Sequence, residues 1–440
     1  MNETFLIRAR WVVPVEPAGA VLEHHAVVVR EDRIEALLPA ADAESRYAGC
    51  PVIDLAGHVL IPGFVNAHTH AAMALMRGLA DDQPLARWLS EHIWPAEARH
   101  VSAQFVRDGT LLACAEMLRA GVTCFNDMYF FPEAALEAVV EAGMRAALGM
   151  IVIEFPSSYA SDPDDYLQKG LALRDRWREH PLLSFCLAPH APYTVSDETF
   201  RKVATMLGEV YVPLHIHVHE TEDEVTRSIA EHGVRPLARL HRLGLLGPGL
   251  IAVHCVHLAA DEIELLARHG SSVVHCPSSN LKLASGFAPV AELLAAGVNV
   301  ALGTDGAASN NRLDLMQEMR LAALLAKAVA RDAQVMPAHQ ALRCATLGGA
   351  TALGLDRRIG SIVAGKLADL VAIHLQGPEV APCFDPVSDL VYSAGREHVS
   401  DVWVAGKQQL RTRELLNPLL VGLDTRCELW QNALRSRPDS

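Results

Sequence analysis

The chain is 440 residues long, half apolar and one fifth charged, with a formal net charge of −14. That acidic balance argues against a nucleic-acid backbone or an anionic membrane as partner, since neither would meet a basic surface. No apolar stretch approaches the ~20 residues of a membrane span, and no apolar leader follows the polar start Met1-Asn2-Glu3-Thr4.

Segments Phe5 to Val15 and Ala26 to Leu38 read as strands rich in Val and Ile, separated by turn residues Pro14, Pro17 and Gly19. From Val59 the rhythm changes. Short apolar runs at 59–65, 122–127, 145–152, 182–188, 212–219, 250–256, 272–276 and 298–303 alternate with helical patterns such as 103–120, 132–142, 197–207, 222–232, 260–269 and 289–296. Gly121, Gly143, Gly270 and Gly297 stand where helix C-caps belong. Eight βα units with near-continuous apolar strands predict an α/β protein built on a parallel (β/α)8 TIM-like barrel. A doubly wound open sheet is disfavoured because no Gly-x-Gly-x-x-Gly follows the first run. Helices continue over 313–330 and 338–354, and after Arg358 strand patterns return at 360–374 and 399–404. Both termini are therefore expected to form one small β-sandwich: residues 1–60 its N-terminal part, 61–357 the barrel, 358–440 the rest of the sandwich and a tail whose last ten residues fray. Nine scattered cysteines, with no Cys-x-x-Cys pair, fit reduced thiols in a cytoplasmic protein.

The chemistry gathers around Pro62-Gly-Phe-Val-Asn-Ala-His68-Thr-His70. Residues i and i+2 of a strand share a face, so His68 and His70 can aim two imidazoles at one point, half of a zinc site. Further polar residues fall at the ends of later runs: Asp127, His190, His217, His254 and Asp305. In a (β/α)8 barrel that rim is where active sites are built. On the fifth run His215, His217 and His219 share a face, and periodicity alone does not choose among them. Glu220 favours His217, because a catalytic carboxylate has to stand beside a metal without being consumed as a ligand; His215 and His219 are then supporting or core histidines. Asp305 can ligate through one carboxylate oxygen and accept a proton through the other. Two-metal hydrolases of this architecture bridge their metals with a carboxylated Lys on the fourth strand, and residues 182–188 contain no Lys, so one metal is expected.

The His68-x-His70 stretch, His217 with Glu220, His254-Cys-Val-His257, Gly303-Thr-Asp305-Gly and Gly365-Lys-Leu-Ala-Asp369-Leu-Val together resemble the amidohydrolase superfamily. Leu79-Ala-Asp-Asp82, Ile93-Trp-Pro-Ala-Glu97, Pro189-His190-Ala-Pro-Tyr193 and Ser279-Asn-Leu-Lys282 resemble its branch of triazine hydrolases and adenosine-analogue deaminases. The likeness covers essentially the whole chain. It implies one Zn²⁺ per subunit held by His68, His70, His217 and Asp305, and hydrolytic deamination of a 6-aminopurine nucleoside. Glu220 would carry a proton to ring N1, and His254 and Asp305 would orient the attacking water, whose proton Asp305 takes. Glu97 resembles the family's ribose anchor, and His190 a substrate contact on the pocket wall. Trp88, Trp94 and Met73 are candidates to pack on the purine or a thioether, or plain core. A small-molecule partner and a homo-oligomer, a dimer, are implied as well.

The expected substrate is 5′-methylthioadenosine, with S-adenosylhomocysteine second. In family members that accept the latter, arginines between the third and fourth barrel strands meet its carboxylate. Here residues 150–173 hold no Arg; Lys169 is the cation there, beside Glu154, Asp162, Asp164 and Asp165. Met150, Ile151, Ile153 and Phe155 suit a methylthio group, and Arg77 or Lys169 would be the cation if one arrives from elsewhere. The alternatives are an aminohydrolase or chlorohydrolase acting on a triazine, guanine or cytosine, and a barrel that kept its fold as a binding protein without chemistry.

Overall fold

A computed structural model describes residues 4–435. Its centre is a sheet of eight parallel strands lying side by side in chain order. They are Phe64–Thr69, Val122–Asp127, Arg145–Val152, Leu183–Pro189, Leu214–Val218, Leu250–His254, Ser272–His275 and Asn299–Leu302. Most of their residues are buried on both faces, the expected state of parallel strands covered by helices. First and last strands meet at a seam. The Asp305 amide donates to the His68 carbonyl (3.0 Å), and the Asn66 side chain both donates to Thr304 Oγ1 (2.7 Å) and accepts from the Thr304 amide (3.0 Å). Gly303 makes the approach possible, because a Cβ there would lie 2.9 Å from both the Cβ and the carbonyl oxygen of His68. The sheet curls into a (β/α)8 barrel, and the Asn of the first motif and the Gly of the last are explained by how it closes.

The predicted helices fall where periodicity put them, Pro132–Ala142, Glu222–His232 and Ala260–His269 to the residue. Gly270 ends the last of these with φ +65°, its amide bonded to the Leu266 and Ala267 carbonyls.

The second sheet also has eight strands. Thr4–Val12, Leu22–Arg30, Arg33–Pro39 and Val52–Pro62 come from the N-terminal side; Leu370–His374, Val399–Val404, Lys407–Arg411 and Glu414–Leu415 come from the C-terminal side. The two ends of the chain join where Val52–Pro62 pairs antiparallel with Leu370–His374. Alternation sorts the faces: Leu60 packs with Ile7, Val27 and Trp403, while Val59 and Ile61 turn into the barrel's own core. A buried ion pair, Arg145 Nε to Asp369 Oδ2 at 2.8 Å, ties the third barrel strand to this sheet.

Three local expectations are corrected. The run 59–65 is two strands broken at Gly63: Val59–Pro62 finishes a strand of the small sheet, and the barrel begins at Phe64. An apolar run buried throughout carries no mark of which sheet takes each half. The segment 26–38 is likewise a hairpin, turned at Glu31 and Asp32. The C-terminal tail is helical over Asp424–Arg435, because Phe105 and Asp108 receive Trp430: the rings pack edge to face at 5.0 Å and the indole N–H donates to Asp108 Oδ2 at 3.0 Å. Residues 436–440, the rest of the expected frayed end, lie outside the described residues.

Candidate active site

The rim residues converge. His68 ends inside the first barrel strand and His70 stands one residue past it. His68 Nε2 is 3.2 Å from His217 Nε2 and 3.2 Å from Asp305 Oδ1; His70 Nε2 is 3.3 Å from the same Asp305 oxygen. The ring nitrogens on the far side define the tautomers. His70 Nδ1 donates to the Met128 carbonyl (2.6 Å) and His217 Nδ1 to the His190 carbonyl (2.7 Å), so both rings turn Nε2 into the cluster; burial acts to lower the His70 pKa, but the Asp305 carboxylate raises it to about 9. Burial keeps His68 (pushed down to about 4) and His217 (well below its ordinary value) neutral. At Asp305 burial works in the opposite direction, yet His68 and His70 outweigh it and hold the carboxyl well below the usual range.

Imidazole nitrogens and a carboxylate oxygen gathered at one point are the donors that a zinc ion takes. Tetrahedral bonds of 2.0–2.1 Å place neighbouring ligand atoms about 3.3 Å apart, which matches these separations. The donor set therefore fits a zinc ion, with His68, His70, His217 and Asp305 as the residues that would hold it.

Around this cluster stand the groups with other duties. His254 Nδ1 is 2.9 Å from Asn280 Oδ1, which leaves Nε2 as an acceptor, 3.8 Å from Glu220 Oε2. Burial pushes the Glu220 carboxyl up to about 7. Both His254 and Asp305 adopt positive φ, 71° and 59°, strain of the kind that collects at functional strand ends. The second oxygen of Asp305 is not free: it accepts from Ser279 (2.6 Å) and Ser309 (2.8 Å). Ser279 belongs to a stretch that carries the family resemblance, but neither serine had a role assigned from the sequence, because nothing in spacing links residues 279 and 309 to 305 before the loops fold together.

The histidines left open by periodicity are also placed. His215 Nε2 lies 2.9 Å from His68 Nδ1, behind the ligand cluster. His219 Nε2 accepts from the Leu237 amide (3.1 Å) near Glu262, and His257 Nε2 donates to the Ser285 carbonyl (2.7 Å). Asp127 accepts from the Ala71 amide (2.8 Å) and so braces the turn that carries His70.

The cluster opens into a cavity of about 540 Å³. His190, Glu97 and Glu220 line it with His70, His217, His254 and Asp305. Its apolar wall includes Trp88, Trp94, Met73, Ile151, Ile153 and Phe155. Met150, expected there, points away instead and packs against Gly170. No Lys or Arg is among the described residues that line the cavity. The two candidate cations are engaged elsewhere: Arg77 with Glu116 and the Asn311 carbonyl, Lys169 with Asp165 (2.9 Å) and the Tyr159 carbonyl (2.6 Å). Burial, with the neighbouring histidines, pushes His190 down to about 3, so it faces the cavity as neutral imidazole. Glu97 lies on the helix Trp94–His100 and accepts from the Tyr129 hydroxyl at 2.7 Å.

The chain is similar to known proteins over nearly its whole length. A sequence model described as "Amidohydrolase family" matches residues 59–408. The chain is 46% identical over 436 residues to a 5-methylthioadenosine/S-adenosylhomocysteine deaminase from Teredinibacter turnerae, covering 98% of each. It is similar in structure (TM-score 0.97, 51% identity, 98% of each chain) to an adenosine deaminase from Xanthomonas campestris crystallised with bound zinc. It is also similar (TM-score 0.89, 25% identity, 98% of this chain and 99% of the other) to a zinc-complexed atrazine chlorohydrolase from Arthrobacter aurescens.

Proposed function

Since the chain belongs to the amidohydrolase family, we propose that it is a zinc-dependent aminohydrolase that deaminates a 6-aminopurine nucleoside, 5′-methylthioadenosine before S-adenosylhomocysteine. The observation that carries this reading is a ligand-competent cluster, in which His68 stands with His70 and Asp305 on one side and with His217 and His254 on the other, opening on a cavity that holds Glu220, Glu97 and no Lys or Arg among its described lining residues. Deaminase relatives at 46–51% identity support it over hydrolysis of another heterocycle, for which the atrazine chlorohydrolase stands at 25%.

A zinc ion, when bound, supplies a Lewis acid that brings the pKa of a water to about 7. The residues do the rest. His254 Nε2, kept an acceptor by Asn280, orients the attacking water. The water oxygen bonds to purine C6 and Asp305 takes its proton. Ser309 also donates to the Gly306 carbonyl (3.1 Å), so its hydroxyl can turn and accept from a protonated Asp305. Glu220, which burial raises to about 7 so that a protonated fraction is present at neutrality, delivers a proton to N1 and makes C6 electrophilic. Asp305 passes the water proton to the exocyclic nitrogen, the C6–N bond breaks with release of ammonia, and the hydroxyl proton on C6 returns to Glu220 as the C6=O bond of the 6-oxopurine forms. Glu97 accepts from the 2′- and 3′-hydroxyls, His190 contacts the ligand from the wall, and Ile151, Ile153 and Phe155 take the methylthio group.

Nine free cysteines support a reducing, cytoplasmic setting, and among the described residues no helix is long and apolar enough to cross a membrane. A homodimer completes the reading, tested by light scattering on the purified protein. Ammonia release from adenosine, 5′-methylthioadenosine, S-adenosylhomocysteine, guanine and cytosine, before and after chelation and zinc return, tests the activity. Zinc-dependent release from the nucleosides is expected; release from guanine or cytosine alone would overturn it.

A further inference from the structure

Tyr129 follows the second barrel strand by two residues and took no part in the sequence motifs read for chemistry. Its side chain is 5% exposed and lines the cavity, with its ring centroid 6.4 Å from that of His70 and 5.5 Å from that of Phe130. Its hydroxyl donates to Glu97 Oε1 at 2.7 Å. Glu97 itself comes from a different part of the fold, the helix Trp94–His100, which is preceded by the helical segment Leu85–Ile93 that walls the cavity with Leu85, Trp88, Leu89 and Ile93. Glu97 Oε2 has no hydrogen-bond partner among the described residues. The contact thus joins a barrel strand end to the helix that overhangs the cavity, through the one carboxylate positioned for a sugar.

We propose that Tyr129 is a positioning residue for nucleoside recognition: its hydroxyl holds the Glu97 carboxylate in the rotation at which the remaining lone pairs of Oε1 and Oε2 meet a pair of vicinal hydroxyls. This rests on the reading of Glu97 as the ribose anchor. The terminal torsion of a Glu side chain is broad and has no strong intrinsic minimum, so a carboxylate on an exposed helix would sample many orientations. An ionised carboxylate offers about four lone-pair sites. One taken by Tyr129 leaves enough for two sugar hydroxyls and fixes the plane in which they lie. Burial also pushes the Glu97 carboxyl up to about 7, while the Tyr129 bond acts to lower it. A protonated Glu97 would lose acceptor capacity and present a donor of its own, so the phenol helps keep the group a double acceptor at neutral pH. The tyrosine does not itself touch the reacting atoms, and its removal should leave the chemical step alone.

The test compares zinc-loaded wild type, Tyr129→Phe, Glu97→Gln and the double variant on adenosine and on 2′,3′-dideoxyadenosine. Tyr129→Phe keeps the ring and its packing, so folding is preserved. The expected result is a KM for adenosine raised about tenfold, the scale of one hydrogen bond to a charged group, with kcat within about twofold, the pattern of lost uniform binding. Dideoxyadenosine kinetics should stay within about twofold, and the double variant should be no worse on adenosine than Glu97→Gln alone, since the two residues act as one unit. If Glu97→Gln discriminates between the two nucleosides and Tyr129→Phe does not, or harms both equally, the positioning role is overturned and the ribose anchor stands. If Glu97→Gln itself treats both nucleosides alike, the ribose anchor is overturned and the role of Tyr129 with it.

Discussion

His215 Nε2 lies 2.9 Å from His68 Nδ1, and both rings are fully buried. Burial, then the charges of neighbouring histidines, holds His215 far below its ordinary pKa, so the ring is neutral; where His68 turns a lone pair at Nε2 to a metal, its Nδ1 carries the proton and donates to His215 Nε2. Its other nitrogen, Nδ1, is buried without a partner, a cost of about 1–3 kcal/mol for an unsatisfied buried group. The fold bears that cost at a position where the ring holds the orientation of His68, proposed above as a metal ligand. His215→Phe is expected to fold and to bind zinc roughly 10–100-fold more weakly, the usual effect of removing a group that supports a ligand. Competition with a chelator of known affinity measures this, and unchanged affinity would assign His215 to the core alone.

His217→Ala and Asp305→Ala each remove a ligand atom from the cluster, whereas Glu220→Gln removes none. The first two variants should lose both metal and turnover. The third should retain full zinc and lose roughly 10²–10⁴-fold in kcat, because a carboxamide cannot carry a proton to N1. Metal content by atomic emission beside turnover separates the cases; zinc loss in Glu220→Gln would make that residue a ligand.

A carboxylate leaving water calls for a guanidinium that pairs with it through two hydrogen bonds. The cavity supplies Ile151, Ile153 and Phe155 and no Lys or Arg among its described lining residues. The kcat/KM for 5′-methylthioadenosine is therefore expected to exceed that for S-adenosylhomocysteine by about tenfold or more, since about 1.4 kcal/mol of differential transition-state binding is tenfold. Parallel kinetics with the two thioethers decide it. Equal or reversed values would place a cation at the tail that this chain does not line the cavity with.

Arg145 and Asp369 join the barrel to the small sheet at 2.8 Å and 3.1 Å, and Asp369 Oδ1 accepts from the Ala405 amide as well (2.7 Å). Both side chains are nearly inaccessible. Arg145→Met leaves a carboxylate buried without its cation and should cost about 3–5 kcal/mol. Pairing it with Asp369→Leu should recover part of that loss. Urea unfolding of the two variants with zinc bound gives the comparison, and a single variant as stable as the wild type would show that water reaches this site.

Much of the barrel was legible because its signals are local. Apolar runs of four to eight residues, helical periodicity and a glycine after several of the helices are written within a dozen residues of one another, and the helix Pro132–Ala142 and the strand Val122–Asp127 came out to the residue. The metal-type residues were legible for a related reason: in parallel strands every strand end that bears chemistry points to the same rim, so topology set His68, Asp305 and the histidines of the fifth run on one rim, and Glu220 favoured His217 among the last.

What the sequence by itself determined, then, is the order of strands and helices and the side of the barrel on which the polar residues gather, because side-chain periodicity and handed βα connections leave little choice once the elements exist. Only the tertiary structure decided the rest. Whether Val59–Val65 is one strand or two depends on which sheet receives each half, and Gly63 is the break only because Thr123 and Asp369 come to lie against it. Whether Tyr129 reaches Glu97, His215 backs His68, or Ser279 and Ser309 crowd one oxygen of Asp305 depends on loops far apart in the chain. A hydrogen bond is formed within a few tenths of an ångström and a few tens of degrees, and no one-dimensional pattern of residue types carries distances of that scale.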